Sequence, residues 1–208
     1  MDLIDMKRIA IGLGLILALL ASPLLALGQG IEGKFTAVGP VPPRKSANAV
    51  VVEEFLNFTC PHCNNFREVA KPVLEKYGKR VKLLHLPLLF RGQADGPLRL
   101  FFVAQEQGKE ELIVNALFDA AFKSNVNIYD PAVVNYLART NGLAEAYQKD
   151  GNAAWVTQRI AAVAARANAF KVDSTPTLVL QGAMKMSPET KMETFVNDVD
   201  GVIGQLLK

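Results

Sequence analysis

Cys60-Pro61-His62-Cys63 holds both cysteines of the chain and one of its two histidines. Two thiols at this spacing close a disulfide between neighbours, and the bond reopens readily when the first sulfur is a good leaving group. The motif therefore points to a redox-active dithiol. Two thiols and an imidazole are also soft-metal ligands. Structural zinc, however, takes four ligands, and His62 lies between the sulfurs, where geometry opposes shared tetrahedral binding. No metal and no other cofactor is expected. A purely structural disulfide is a weak reading too, because so short a loop removes little entropy from the unfolded chain.

The flanking segments place these residues. Val50 to Phe58 (VVVEEFLNF) is apolar and β-branched enough for a buried central strand, although Glu53 and Glu54 interrupt it. It runs directly into the cysteines. From Pro61 to Tyr77 the residues Phe66, Val69, Ala70, Val73, Leu74 and Tyr77 share one helical face, with Gly78 as the stop. Pro61 fits the opening turn, whereas Pro72 falls inside the helix and should kink it. Cys60 then stands at a helix N-terminus, where unsatisfied N–H groups and the positive dipole end favour a thiolate. The His62 imidazole can donate to that sulfur or carry positive charge beside it, lowering its pKa further. Stabilising the thiolate stabilises the reduced protein, which makes its disulfide the stronger oxidant.

Val81 to Leu86 (VKLLHL) is the next strand. A helical stretch follows from about Pro97 to Gly142, punctuated by Gly108 and by Asp130-Pro131, which has the form of an N-cap with proline at the first helical position. Asn152 to Phe170 reads as another helix. Thr177 to Leu180 is a short strand after Ser174-Thr175-Pro176, and a hairpin through Gln181-Gly182 leads to Ala183–Met186. Ser187-Pro188-Glu189 is expected to start a final helix towards Leu207, and Lys34 to Val38 offers a weak extra strand.

This order is an α/β, thioredoxin-like layout with a helical insertion. FLNFTCPHC followed by a helix, a helical insert and a Thr-Pro before a strand is similar to the DsbA family of secreted thiol:disulfide oxidoreductases, over nearly all of the chain beyond its first segment. The resemblance implies a division into residues 29–49 as an N-terminal arm, 50–96 as the part carrying the motif, 97–150 as the insertion, and 151–208 as the return to the thioredoxin-like domain. It implies catalysis by Cys60 as the solvent-facing nucleophile, with Cys63 as its partner and Pro61 and His62 tuning the pair. It identifies Thr175-Pro176 with the family's cis-proline loop, which lies opposite the cysteines and pairs its backbone with substrate. Many of the strongest oxidases have valine before this proline, and threonine here is the residue found in disulfide isomerases and numerous other members. Glu54 takes the place of the family's buried acid, which assists proton movement, and His85 that of its usual lysine partner. Read from the residues alone, Glu53 or Glu54 could instead face water, and His85 could be an ordinary strand histidine; acids inside strands are unusual unless paired.

Residues 1–28, with Lys7-Arg8 ahead of an apolar run and small residues Ala26 and Gly28 before Gln29, have the form of a cleavable secretory signal, an uncleaved anchor being the alternative. The periplasm is the expected compartment. Loss of that segment leaves the formal charge at +3, and neither basic runs nor interleaved aromatics support nucleic-acid binding. Reduced exported proteins are the expected substrates, a DsbB-type, quinone-linked membrane protein the expected reoxidant, and a monomer the expected state, since residues 29–49 are too few for a dimerisation domain. Isomerase or reductase activity is the near rival, and a chaperone role without catalysis the more distant one.

Overall fold

The computed structural model describes residues 30–39, 45 and 48–208; the expected signal segment lies outside them. The compact unit spans Ile31–Lys208. Among the described residues no helix is long and apolar enough to cross a membrane.

The VVVEEFL run becomes the central strand because both its faces are covered. In this strand, β2 (Val50–Leu56), all residues but Val51 are buried. It lies parallel to β3 (Val81–Pro87) on one side and antiparallel to β4 (Thr177–Leu180) on the other. β5 (Met184–Met186) and a two-residue β1 (Thr36–Ala37) complete the sheet in the order β1-β5-β4-β2-β3. The hairpin pairs Leu180 with Met184 across residues 181–183; Gln181 and Gly182 both have positive φ (54° and 65°), and Ala183 N donates to Leu180 O at 3.0 Å to close the turn about them.

Alternation along β2 sends Val50, Val52 and Glu54 to one face and Glu53 and Phe55 to the other. The first face packs on α1 (Pro61–Glu75) and α7 (Met192–Leu206) through Phe66, Phe195 and Val199. The second packs on α6 (Ala154–Ala169) and the residue that ends it, Phe170. There Glu53, only 5% exposed, is paired with Arg166. Both acids are therefore inside the protein, which excludes the reading that either faces water.

Four helices form the block between β3 and α6: α2 (Gly96–Glu106), α3 (Glu110–Phe122), α4 (Pro131–Thr140) and α5 (Ala144–Asp150). Asp130 caps α4 as its sequence implies, its Oδ1 accepting from Ala132 N at 2.8 Å. Two features differ from expectation. Ala144–Asp150 is a helix of its own, and with no buried residue it had no apolar period to announce it. The last helix begins at Met192 rather than at Ser187, whose hydroxyl is bonded to Thr177 Oγ1 at 2.8 Å. Phe58 joins the block to the end of β2, its ring 6.1 Å from Phe101 and 5.4 Å from Phe118.

Candidate active site

Cys60 is the N-cap residue of α1, with extended backbone (φ −82°, ψ 119°), and Pro61 opens the helix. The Cys60 carbonyl accepts from Cys63 N at 3.1 Å and Asn64 N at 3.2 Å, which closes the first turn of the helix directly after the sulfur-bearing residue. Both cysteines are free thiols in this structure. Cys60 is 7% exposed and Cys63 fully buried. Cys60 is thus the more accessible sulfur, though more enclosed than a solvent-facing residue, because the loop before β4 lies against it.

The sulfurs are held in opposite states. The Cys60 thiol is brought down from about 9 to about 5, first by the hydrogen bond from the Cys63 thiol, then, against the cost of burial, by Thr175 and by the backbone N–H groups of Cys63 and His62. Cys63 is pushed far up, by the hydrogen bond it donates to Cys60, by burial, and by the nearby charges of Cys60 and Glu54. His62 assists through its main chain; among the described residues its ring, exposed on the first turn, has no hydrogen-bond partner.

Thr175-Pro176 faces the motif, and its peptide bond is cis. The protonated Cys60 Sγ donates to Thr175 O at 3.2 Å. Thr175 Oγ1 is buried and has no hydrogen-bond partner among the described residues, beside the sulfur whose ionisation it favours. His62, Asn65, Ser174, Thr175, Pro188 and Met192 line an adjoining cleft of about 420 Å³.

Beneath Cys63, Glu54 (3% exposed) lies in register with His85 on the parallel neighbour strand. Its Oε2 is 3.7 Å from His85 Nε2. Burial raises the Glu54 carboxyl to about 7, against the lowering pull of His85. For His85 burial disfavours charge, but the hydrogen bond to Glu110 and the fields of Glu54, Glu110 and Glu111 outweigh it and raise its pKa.

Other residues of the site gave little sign of themselves in sequence. Asn57 Oδ1 accepts from Thr59 N and Oγ1 at 2.9 and 2.8 Å, while its Nδ2 donates to Leu88 O and Gln93 Oε1, both at 2.8 Å. Gln93 and Tyr129 reach Thr59 Oγ1 at 3.2 and 3.1 Å. This network clamps the turn into Cys60 to the loop after β3 and to the block. Asn57, at the strand-to-helix turn, had a positional signal; Gln93, Glu110 and Tyr129 had none, being distant in sequence. Among the described residues no cluster of ligands could hold a metal ion. A nucleophilic sulfur, a buried partner thiol and an acid below them can exchange disulfides.

A family model described as thioredoxin matches residues 45–198. The chain is similar to the thiol:disulfide interchange protein DsbA of Burkholderia cepacia, 25% identical over 96% of this chain and 91% of that one. It is also similar to that of Pseudomonas aeruginosa, 28% identical over 69% and 68%. A solved structure of Proteus mirabilis DsbA with a non-covalently bound peptide, PWATCDS, superposes with a TM-score of 0.64 at 23% identity, covering 86% of this chain and 97% of that one. The chain belongs to the thioredoxin family, as a thiol:disulfide oxidoreductase of the DsbA group.

Proposed function

We propose that the protein introduces disulfides into reduced proteins exported to the periplasm, as a monomer, by exchange through Cys60 and Cys63. The observation that carries this is the asymmetry of the two sulfurs: one held as a thiolate, the other as a buried thiol. A substrate thiolate attacks Cys60 of the oxidised pair, the S–S bond breaks, and its electrons leave on Cys63, which takes up a proton. A second substrate thiolate then attacks the substrate sulfur of the mixed disulfide. Cys60 leaves readily, since a low pKa marks a good leaving group. The substrate gains its disulfide and the protein is left reduced by two electrons, to be reoxidised by a DsbB-type, quinone-linked membrane protein.

Thr175 and Pro176 present the backbone beside Cys60 where an extended substrate would pair, and the cleft next to them is large enough for side chains. The peptide bound to the Proteus mirabilis protein supports a polypeptide ligand. The buried acid, Glu54, exchanges the Cys63 proton, a role supported by its burial and its field at that sulfur. With Cys60 at about 5, its thiolate at pH 7 is favoured over an ordinary cysteine by at most about 3 kcal/mol, and by about 2 once solvent screening is allowed for. That is roughly 40 mV of added oxidising strength.

The test is trapping. Cys63→Ser, with Cys60 first loaded as a mixed disulfide by oxidised glutathione, should exchange glutathione for reduced, unfolded substrate and accumulate mixed disulfides with it, and Cys60→Ser should lose dithiol oxidation altogether. Full turnover by Cys60→Ser would refute the assignment, and a reduction potential as low as that of thioredoxin would favour a reductase.

A further inference from the structure

We propose that Glu110, at the start of α3, is a positioning residue that holds His85 as the proton-exchange partner of Glu54 while Cys63 changes between thiol and thiolate. This rests on the dithiol reading above and adds to it a route for the proton.

The geometry is a line of three side chains leading outward. Glu54 Oε2 faces His85 Nε2 at 3.7 Å, a gap that under about 1 Å of side-chain movement closes to a hydrogen bond. His85 Nδ1 is 2.8 Å from Glu110 Oε1, and Glu110 Oε2 accepts from Gln105 Nε2 at 2.8 Å. The side chains are 4%, 17% and 27% exposed in that order, so each is wetter than the one before. All three open into one groove of about 530 Å³ between α1, β3 and α3. A proton leaving Glu54 therefore has a graded path to water through a groove that shares no lining residue with the substrate cleft.

A carboxylate on Nδ1 fixes which ring nitrogen carries the hydrogen. With Nδ1–H donated to Glu110, Nε2 presents its lone pair to Glu54, and the ring can take a second proton because Glu110 balances the charge. When Cys63 is displaced as a thiolate, the Glu54 carboxyl gives it a proton; protonated His85 then returns one to Glu54 and is refilled from water. On reoxidation each transfer reverses and Cys63 becomes the attacking thiolate. No electrons move in these steps. The charged groups facing His85 are Glu54 from β2 and Glu110 and Glu111 from α3; across the groove, α1 brings Arg67, Lys71 and Glu75. Arg67 is committed to Asp119, and Lys71 lies between Glu75 and Glu111. Glu110 is the acid in hydrogen-bond contact with the ring.

As the first residue of its helix, Glu110 also complements the helix dipole, and a merely structural role would show only in stability. Glu110→Gln keeps an oxygen that can accept from Nδ1–H and removes the charge. The reduced full-length protein is mixed with oxidised glutathione, and closure of Cys60–Cys63 is followed across the acid to mildly alkaline range. The imidazole signals are titrated by NMR in parallel, with only two histidines to separate.

In Glu110→Gln the His85 midpoint should fall, while the midpoint of the closure profile should rise, because a less charged His85 no longer holds the Glu54 carboxyl down. Closure at mildly acidic pH should slow by about 3- to 10-fold, as a midpoint change of about half to one unit requires. His85→Gln should move the closure profile in the same direction, and it decides the question if Glu110→Gln does not fold. A closure profile unchanged in both variants overturns the relay, as does a fall in the His85 midpoint with no change in closure. Wild-type protein that cannot close its disulfide at all would instead sink the dithiol reading on which the relay rests.

Discussion

The protonated and ionised forms of Cys60 ask for different partners. As a thiol it donates to the Thr175 carbonyl at 3.2 Å; as a thiolate it has nothing to donate, and a carbonyl oxygen repels it. Besides the Cys63 thiol, the Thr175 hydroxyl, buried and without another partner among the described residues, is a side chain that can turn a proton towards the sulfur. Thr175→Val keeps the carbonyl and nearly the same volume while removing that donor. A hydrogen bond to a charged group is worth about 1.5–3 kcal/mol, so the Cys60 midpoint should rise from about 5 by one to two units on thiolate absorbance titration, and mixed disulfides should persist longer. An unchanged midpoint and lifetime would reduce Thr175 to a backbone spacer. The motif and the Thr-Pro pair were legible in sequence, but this exchange of partners was not. It depends on which atoms of a loop over a hundred residues away meet the sulfur.

At the scale of elements, the sequence showed most clearly what is local. An apolar run entering C-x-x-C, a proline at the helix start and Asp130-Pro131 each state their own geometry, and the structure places those elements as expected. The pairing of Glu54 with His85 is a matter of register between two strands, and register is not written in either strand alone. How the helical block is fastened is likewise a tertiary fact. Arg67 of α1 reaches Asn115 at 2.8 Å and Asp119 at 3.0 Å on α3, but this tie borders solvent and is worth about 1 kcal/mol. Phe58, 1% exposed and wedged between Phe101 and Phe118, is the stronger fastening. Phe58→Ala should cost about 3–5 kcal/mol by denaturant unfolding, several times the loss in Arg67→Ala. Equal losses would mean that polar contacts, not the aromatic cluster, hold the block to the active-site strand.

For the whole molecule, the redox state of one pair decides which form is the more stable, and pH decides the sign. Glu54 is buried in either state; its carboxyl, raised to about 7, costs stability as pH climbs from the ordinary carboxylate range towards neutrality. Comparing the two redox forms at equal pH largely removes that cost. What remains below the unfolded cysteine value is Cys60; above that value the raised Cys63 thiol costs the reduced form stability. The Cys60 folded pKa of about 5 lies below the unfolded value of about 9, so the thiolate's contribution to the reduced form is complete above the unfolded value and disappears as pH falls through about 5. At pH 7 it amounts to about 2 kcal/mol after screening. Against it stands the disulfide's restriction of the unfolded chain, which for so small a loop is also about 2 kcal/mol. The two terms cross near neutrality: the oxidised form should unfold at higher denaturant below about pH 6, and the reduced form should overtake it above about pH 8. In Cys63→Ala, which cannot close the disulfide, the Cys60 midpoint should rise on thiolate absorbance titration, since the hydrogen bond that contributes most to the Cys60 thiolate is gone. Paired denaturant titrations of the oxidised and reduced protein across that range would show the crossing, and an oxidised form that stays the more stable at every pH would mean that Cys60 is not held as a thiolate.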